Sequence, residues 1–234
     1  GDVYKRQIQF SSKETSKYMS SPRHSDWDMV IKLSRYLRTN PRKKHVFPTH
    51  CNDNLQFIDV FADSDWAGDN INRKSTTGVV IKFGGCLIKT YSRNQKTIAL
   101  SSAEAEFYAI VSGIAEGIGV QSILRDYGID CAIRCFFDSS VAVGIVKRAG
   151  IGRVRHLQTQ YLWVQELVNS GKVFIHKIST NSNPADLLTK YLDSNKIHEH
   201  LQRIGIHDSH NRPASAPKII GNVDLHARGS CHPE

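Results

Sequence analysis

The sequence predicts one α/β domain over about residues 51–192, and three observations support this prediction. Three β-rich runs come first, and Gly84-Gly85, a pair typical of a tight hairpin, joins the last two. The segment LSSAEAEFYAIVSGIAEG, residues 100–117, then changes to the periodicity of a helix. Shorter strand and helix patterns alternate after it. The resulting order, βββαβααβα, describes one core, which a chain of 234 residues is long enough to bury.

The strands are predicted from runs rich in apolar and β-branched residues, over 55–62, 77–83, 86–91, 132–137 and 172–178. A two-residue Gly-Gly turn connects antiparallel neighbours. We therefore expect the first three strands to form an antiparallel meander.

The helices are predicted over 26–40, 102–126, 140–148, 158–169 and from Asn183-Pro184 onward. Ser25 is the expected N-cap of the first helix. Ser101 and Glu104 form a capping box at the start of the second, and the glycines within 113–119 leave open whether that helix is kinked.

Both ends of the chain are set apart from this domain. Residues 2–7, DVYKRQ, resemble the translation of a transposase mosaic end used in preparing sequencing libraries, so residues 1–7 are treated as an assembly scar and excluded from the fold. Residues 193–234 are polar, with six histidines and three prolines, and we expect them to be disordered.

The composition favours a polyanionic partner, because 31 Lys and Arg against 22 Asp and Glu give a net charge of +9. Five cysteines without C-x-x-C spacing indicate neither a disulfide framework nor a zinc site. No stretch approaches the roughly 18 apolar residues of a membrane span, and no signal peptide opens the chain. We expect an intracellular protein without membrane contact or a small-molecule cofactor.

Four acidic residues stand at four different elements: Asp63 after the first strand, Glu106 one turn into the long helix, Asp138 at the end of the fourth strand and Asp186 near the start of the last helix. Ligands gather beyond strand ends in open α/β sheets. Carboxylates brought together there need a counter-charge, and oxygen ligands suit Mg²⁺ or Mn²⁺. Any one of these acids alone is ordinarily a turn residue or a complement to a helix dipole.

Two neighbouring acids compete with members of this set. Glu104 and Glu106 project roughly 200° apart on a helix, so one of them faces the others, and the capping box already accounts for Glu104. Asp65 lies two residues beyond Asp63, and an extended chain keeps both on the same face, so spacing does not decide between them.

The motifs that contain these acids carry a resemblance. In order and spacing they are similar to the RNase H domain of copia-type LTR retrotransposon polyproteins: FADSDWAGD, RKSTTGVVIKFGG, SRNQKTIALSSAEAEFYA, FFDSSVAV, RVRHL and NPADLLTK. The segment SKYMSSPRHSDWDMVIKLSRYLR resembles the end of the reverse transcriptase connection in that family. The resemblance covers about Thr15–Leu192, so residues 8–50 are assigned to the connection and 51–192 to an RNase H-like domain.

This resemblance implies a fold, an activity and partners. The fold is RNase H-like, a five-stranded mixed sheet of three antiparallel strands and then parallel additions, with helices on both faces. The activity is cleavage of the RNA strand of RNA–DNA hybrids with two Mg²⁺ ions. The reverse transcriptase domain of the same polyprotein is the second expected partner, and a cytoplasmic virus-like particle or the nucleus is the expected location. No Y-x-D-D polymerase motif occurs in the chain.

By position in the motifs, the resemblance implies metal-binding catalytic roles for Asp63, Glu106, Asp138 and Asp186, and it favours Asp63 over Asp65. His156 occupies a basic-His motif and would assist product release or bind a phosphate; a packing role is the alternative. Contacts to nucleic acid are implied for Arg73, Lys74, Arg93, Lys96, Ser102, Ser139, Arg153 and Arg155. The chain departs from the family at Ser139, Val154 and Arg155. A catalytically silent binding module and the product of a decayed element are the rival interpretations.

Overall fold

A computed structural model of the chain describes residues 6–40, 43–47, 55–140, 144 and 158–209. The helix predicted over 140–148 lies almost entirely outside the described residues, as does the loop containing Arg153, Arg155 and His156.

The strands of the described residues form two sheets. They are β1 (Lys43–His45), β2 (Phe57–Asp65), β3 (Thr76–Phe83), β4 (Cys86–Asn94), β5 (Ala132–Phe137), β6 (Val173–Lys177) and β7 (Ile206–Asp208). The larger sheet has the order β4-β3-β2-β5-β6, in which β2, β3 and β4 are antiparallel and β5 and β6 are added in parallel. β1 and β7 pair separately. The predicted fold class, a five-stranded mixed sheet of the RNase H type, is confirmed.

The meander is built on the glycine turn predicted between its second and third strands. Gly84 and Gly85 have φ angles of 55° and 78°, a left-handed conformation that a two-residue hairpin requires and glycine adopts without strain. β2 extends three residues past its predicted end at 62, because its polar end pairs with Thr76, Thr77 and Gly78 of β3. Asp63 therefore lies inside the strand and not after it.

The helices are α1 (Gln9–Ser16), α2 (His24–Thr39), α3 (Ser102–Asp126), α4 (Gln158–Asn169) and α5 (Ser194–Arg203). α2 begins before the expected cap at Ser25, because the Asp26 carboxylate accepts a hydrogen bond from the Arg23 amide at 2.8 Å and closes the first turn there. The helix predicted from Asn183-Pro184 is a 3₁₀ helix over Pro184–Leu188.

The long helix α3 runs unbroken for 25 residues, through all of its glycines. Gly113 and Gly117 face the sheet, where an added Cβ would lie 3.0 Å from a Cγ atom of Val60, so these glycines bring helix and strand close together. By length and composition α3 is apolar enough to cross a membrane, contrary to the expectation that no stretch approaches this. Its buried side chains, among them Phe107 and Ile110, pack in the core beneath the sheet.

Apolar side chains cover both faces of the larger sheet. On one face α3 and α4 pack on a core that includes Ile58, Val60, Ile81, Ile133 and Val164. On the other face a second core joins the strands to the C-terminal elements through Val80, Leu87, Ala185, Leu188, Leu201, Ile204 and Ile206. The helices on both faces that were predicted are present.

The expected disorder from residue 193 is wrong for residues 194–208, which form α5 and β7. Asp193 caps α5 by accepting hydrogen bonds from the amides of Asn195 and Lys196, both at 3.0 Å. Leu201 and Ile204 are each 1% exposed in the second core. The segment is polar overall, but a few apolar residues at helical spacing are enough to dock it against the second core.

α1 and Arg6, three residues before it, contact the outer edge of β4. Arg6 Nη1 and Gln9 Nε2 donate to the carbonyl oxygens of Leu87 and Thr90 at 3.2 and 3.0 Å. Lys13 Nζ donates to Thr76 Oγ1 at 2.7 Å. An edge strand presents unpaired backbone groups, and Arg6 and Gln9 satisfy two of them, while Lys13 reaches a side chain of β3. Residues assigned to the assembly scar and to the connection thus contact the larger sheet.

We expect Leu201→Ala to lower the free energy of unfolding by roughly 2–5 kcal/mol, since it leaves a cavity in a packed core. Urea denaturation measures this change. Lys196→Ala, on the exposed side of the same helix, is the control and should change stability by about 0.5 kcal/mol or less. Wild-type stability in Leu201→Ala would show that α5 does not dock.

Candidate active site

Three carboxylates meet where β2 and β5 end side by side. Phe61 of β2 pairs with Phe136 of the parallel strand β5, and Asp63 and Asp138 each lie two residues further along. α3 brings Glu106 to the same place. One carboxylate oxygen from each of Asp63, Glu106 and Asp138 lies within 4.8 Å of the other two. Asp63 is only 2% exposed, so at least one carboxylate of this cluster is buried in the protein.

Glu106 is oriented by β2. Its Oε1 accepts a hydrogen bond from Ser64 Oγ at 2.9 Å, while its Oε2 is buried without a partner among the described residues. Glu104 turns away and accepts from the Leu100 amide at 3.0 Å, and its own amide donates to Ser101 Oγ at 3.2 Å. The helix start therefore occupies Glu104 and leaves Glu106 for the cluster, as its spacing predicted.

The fourth acid, Asp186, comes from the other face of the sheet. Asn183 begins its 3₁₀ helix by accepting from the Ala185 amide at 3.2 Å, and donates through Nδ2 to the carbonyl of Ala62 at 3.0 Å. This bond ties the helix beside Asp63. Asp186 is buried, and its Oδ1 has no hydrogen-bond partner among the described residues.

Thr189 and Lys190, which follow Asp186 in the chain, also contact the acids, and neither was predicted from the sequence to have a role. Thr189 Oγ1 donates to Asp63 Oδ2. Lys190 Nζ lies 3.1 Å from Asp186 Oδ2 and 3.8 Å from Asp63 Oδ2. Both stand in the quoted motif NPADLLTK, and the spacing of four between Asp186 and Lys190 was the available signal.

The electrostatics of the site are those of crowded, desolvated carboxylates. Burial, together with the charges of Asp186 and Glu106, raises the pKa of Asp63 well above its ordinary value. Burial also raises the pKa of Glu106 to about 7, against the hydrogen bond from Ser64. Burial alone would lower the pKa of Lys190, but the carboxylates of Asp63 and Asp186 raise it. The negative charge is thus only partly compensated.

These residues fit a hard divalent cation. The donors are all carboxylate oxygens, the ligands that Mg²⁺ and Mn²⁺ prefer, and no sulfur or imidazole belongs to the described cluster. Glu106 Oε2 and Asp186 Oδ1 are buried acceptors without donors, and buried polar atoms ordinarily have partners. Such unpaired acceptors fit a site for cations.

Gly78 holds the two halves of the site together, a role that the sequence analysis missed. It pairs with Asp63 across β2 and β3. A Cβ added to Gly78 would lie 2.8 Å from Ala185 O, Leu188 Cβ and Thr189 Cγ2. The segment carrying Asp186 therefore rests directly on the backbone of β3.

The other predicted site residues are not among the clustered acids. Asp65 is not in the cluster, because its carboxylate lies over the backbone of Gly68. Arg73, with φ 56°, and Ser102 are exposed, while Lys74 and Ser139 are half-buried. Arg153, Arg155 and His156 lie outside the described residues.

A groove of about 780 Å³ opens between β4, α3 and the start of α4. Its lining includes two basic residues predicted to hold phosphates, Arg93 and Lys96. Tyr91 and Tyr108 form part of its wall, and the Arg93 guanidinium lies 4.6 Å from the centre of the Tyr91 ring. Glu116 also lines the groove and lies 3.5 Å from Arg93 Nη1, so the groove combines two basic residues, one acid and aromatic surface.

No protein-family model matches the chain. The chain is 32% identical over 198 residues to the retrovirus-related Pol polyprotein from transposon TNT 1-94 of Nicotiana tabacum, an alignment that covers 83% of the chain and 14% of that protein. It is 27% identical over 204 residues to the corresponding polyprotein from transposon RE2 of Arabidopsis thaliana, covering 85% and 14%. The chain belongs to the retrovirus-related Pol polyproteins of copia-like plant transposons.

The predicted family is therefore confirmed, and the chain spans 14% of the length of these relatives. Among solved structures, LC11-RNase H1 isolated from compost is 16% identical with a TM-score of 0.47, covering 63% of the chain and 99% of that protein.

Gly78→Ala should separate Asp63 from Asp186, because the new methyl group would overlap the segment 185–189. We expect a loss of roughly 1–3 kcal/mol in stability, typical of overpacking, together with weaker Mn²⁺ binding. Thermal unfolding and calorimetric titration measure the two effects. Gly119→Ala, where a Cβ meets nothing within 4 Å, is the control and should be neutral or stabilising. Equal behaviour of the two variants would contradict the docking.

The stability of the metal-free protein should fall as pH rises from about 4.5 to 7. The pKa of Glu106 is about 7 in the folded protein against 4.5 for an ordinary glutamate, so folding favours the protonated form, and this contribution is lost as Glu106 ionises. Melting temperatures in EDTA at pH 5 and pH 8 measure this, and Glu106→Gln should reduce the difference. The exposed Glu199→Gln is the control. A pH dependence in Glu106→Gln equal to that of wild type would contradict the raised pKa.

Proposed function

We propose that the chain is a metal-dependent ribonuclease H domain that hydrolyses the RNA strand of RNA–DNA hybrids during retrotransposon reverse transcription. The observation that carries the proposal is the meeting of Asp63, Glu106 and Asp138 within 4.8 Å, with Asp186 joined through Lys190. Four buried or half-buried acids from four elements serve no packing purpose, because their mutual repulsion opposes folding.

Asp63, Glu106, Asp138 and Asp186 would hold two Mg²⁺ ions, which when bound supply an activated water and charge stabilisation for phosphodiester hydrolysis. The chain itself fixes these ligands. Thr189 holds one oxygen of Asp63, Ser64 holds one oxygen of Glu106, and each leaves the second carboxylate oxygen available. With its pKa near 7, Glu106 takes up or releases a proton close to neutral pH, so binding of a cation there should release protons.

The nucleic acid would lie across the basic groove. Arg93 and Lys96 line it beside α3, which begins at Ser102 and carries Glu106 in its second turn, so a backbone held along this helix would extend toward the acids. We assign Arg73, Lys74 and Ser139 to the same surface, with Arg153, Arg155 and His156 kept as predictions. Recognition would rest on phosphates and 2′-hydroxyls, because cleavage of a hybrid requires no reading of bases.

The reverse transcriptase domain of the same polyprotein is the proposed protein partner. None of the residues of α2 is fully buried, and Trp27 on it is 62% exposed. α1 packs on part of α2, and the rest of the apolar stripe of α2, with Trp27, faces outward. An apolar stripe that is only partly covered is typical of a surface that contacts another domain. Because residues 8–50 resemble the reverse transcriptase connection, we propose that this other domain is the reverse transcriptase.

Asp138→Asn should lower hydrolysis of the RNA strand by orders of magnitude and leave hybrid binding intact, because it removes a charge that holds the ions while keeping the side-chain size. Cleavage of a labelled hybrid with Mg²⁺ or EDTA, and binding measured at several salt concentrations, test both parts. Asp130→Asn, at an exposed aspartate before β5, is the matched control and should cleave as wild type does.

Two outcomes would contradict the proposal. Folded wild-type protein that leaves a hybrid uncut with Mg²⁺ and with Mn²⁺, yet binds it as Asp138→Asn does, would identify a catalytically silent module. Cleavage that persists in EDTA would exclude metal dependence.

A further inference from the structure

We propose that Lys190 is a built-in counter-cation of the acid cluster: its ammonium group holds Asp63 and Asp186 together when no metal is bound and competes with the divalent ion that binds there. The inference rests on the proposed metal site. It adds a positioning residue, one that acts through the ligands and not on the substrate.

The geometry places the ammonium group between two buried carboxylates. Lys190 Nζ lies 3.1 Å from Asp186 Oδ2 and 3.8 Å from Asp63 Oδ2, while the side chains of these acids are 7% and 3% exposed. Among the described residues, every ion pair made by Asp63 or Asp186 is with Lys190. Removing Lys190 would therefore leave buried charge uncompensated, which is expensive in a protein interior.

The backbone on both sides of Lys190 fixes the direction of its side chain. Thr189 is fully buried and bonded to Asp63, and the Lys190 amide donates to the carbonyl of Asp186 at 3.4 Å. The Tyr191 ring meets the Phe10 ring of α1 edge-on, with 4.9 Å between centroids. The lysine stem is thus aimed at the cluster by contacts from three separate elements.

An ammonium group and a divalent ion on the same carboxylates repel each other at a few ångströms, an interaction that a partly buried site screens weakly. Metal binding is therefore an exchange, in which the ion displaces the ammonium group from Asp63 and Asp186. Lys190 lowers the affinity for the metal and, in return, keeps the ligands in place before it arrives.

The test compares Lys190→Met with wild type in the absence of nucleic acid, so that its readout is binding and stability and not activity. We expect Mn²⁺ to bind Lys190→Met roughly tenfold more tightly by calorimetry, because the competing charge is gone. In EDTA the variant should melt several degrees below wild type. Lys196→Met removes the same charge from an exposed position and should leave both quantities unchanged. Lys190→Arg keeps the charge and should resemble wild type in the metal-free melt.

Unchanged or weaker Mn²⁺ binding in Lys190→Met would overturn the inference, as would an unchanged melting temperature in EDTA. A separate measurement of hybrid binding distinguishes the alternative: its loss, with unaltered Mn²⁺ affinity, would overturn the inference and assign Lys190 to the nucleic acid. If Lys190→Met is unfolded in EDTA, Mn²⁺ should restore its folding, and failure to do so would count against the inference. Absence of Mn²⁺ binding in wild type would overturn the proposed metal site itself, which separates the two failures.

Discussion

The burial of several carboxylates at one point is the constraint on which the rest of this structure depends. Asp63 sits inside the central strand β2, and its pKa is raised by burial and by the neighbouring acids. A protein interior tolerates such a group only when donors or cations compensate it. Thr189 and Lys190 supply part of that compensation for Asp63, and both come from a segment that the fold must bring to β2. Ser64, in β2 itself, donates to Glu106.

Elements on both faces of the sheet bring acids to this point. α3 approaches one face closely through Gly113 and Gly117 and delivers Glu106. The 3₁₀ helix reaches the other face, where Gly78 leaves room for it and Asn183 ties it to Ala62. Glycines and one buried amide, which carry no catalytic chemistry, thus decide whether the acids meet.

The sequence was informative where local patterns decide structure. Gly84-Gly85, the Ser101 cap and the limits of β5 and α4 follow from turn chemistry, capping and periodicity, and the spacing of Glu104 and Glu106 identified the acid that faces the cluster. Long-range contacts were not readable in this way. The length of β2 depends on its pairing with β3, and α5 docks through a few apolar residues in a polar segment. Thr189 and Lys190 gain their roles only from a fold that places them beside Asp63.

The bond between Thr189 and Asp63 joins residues that are 126 positions apart in the chain, whereas Ser64 and Glu106 are 42 apart. At translation rates of about 5–20 residues per second, roughly ten seconds separate the synthesis of Asp63 from that of its hydroxyl partner. During that interval the nascent chain holds the first acids without Asp186 or Lys190. A ribosome that stops before residue 186 releases a product with an incomplete acid cluster, so the cluster forms only when nearly all of the described fold has been made.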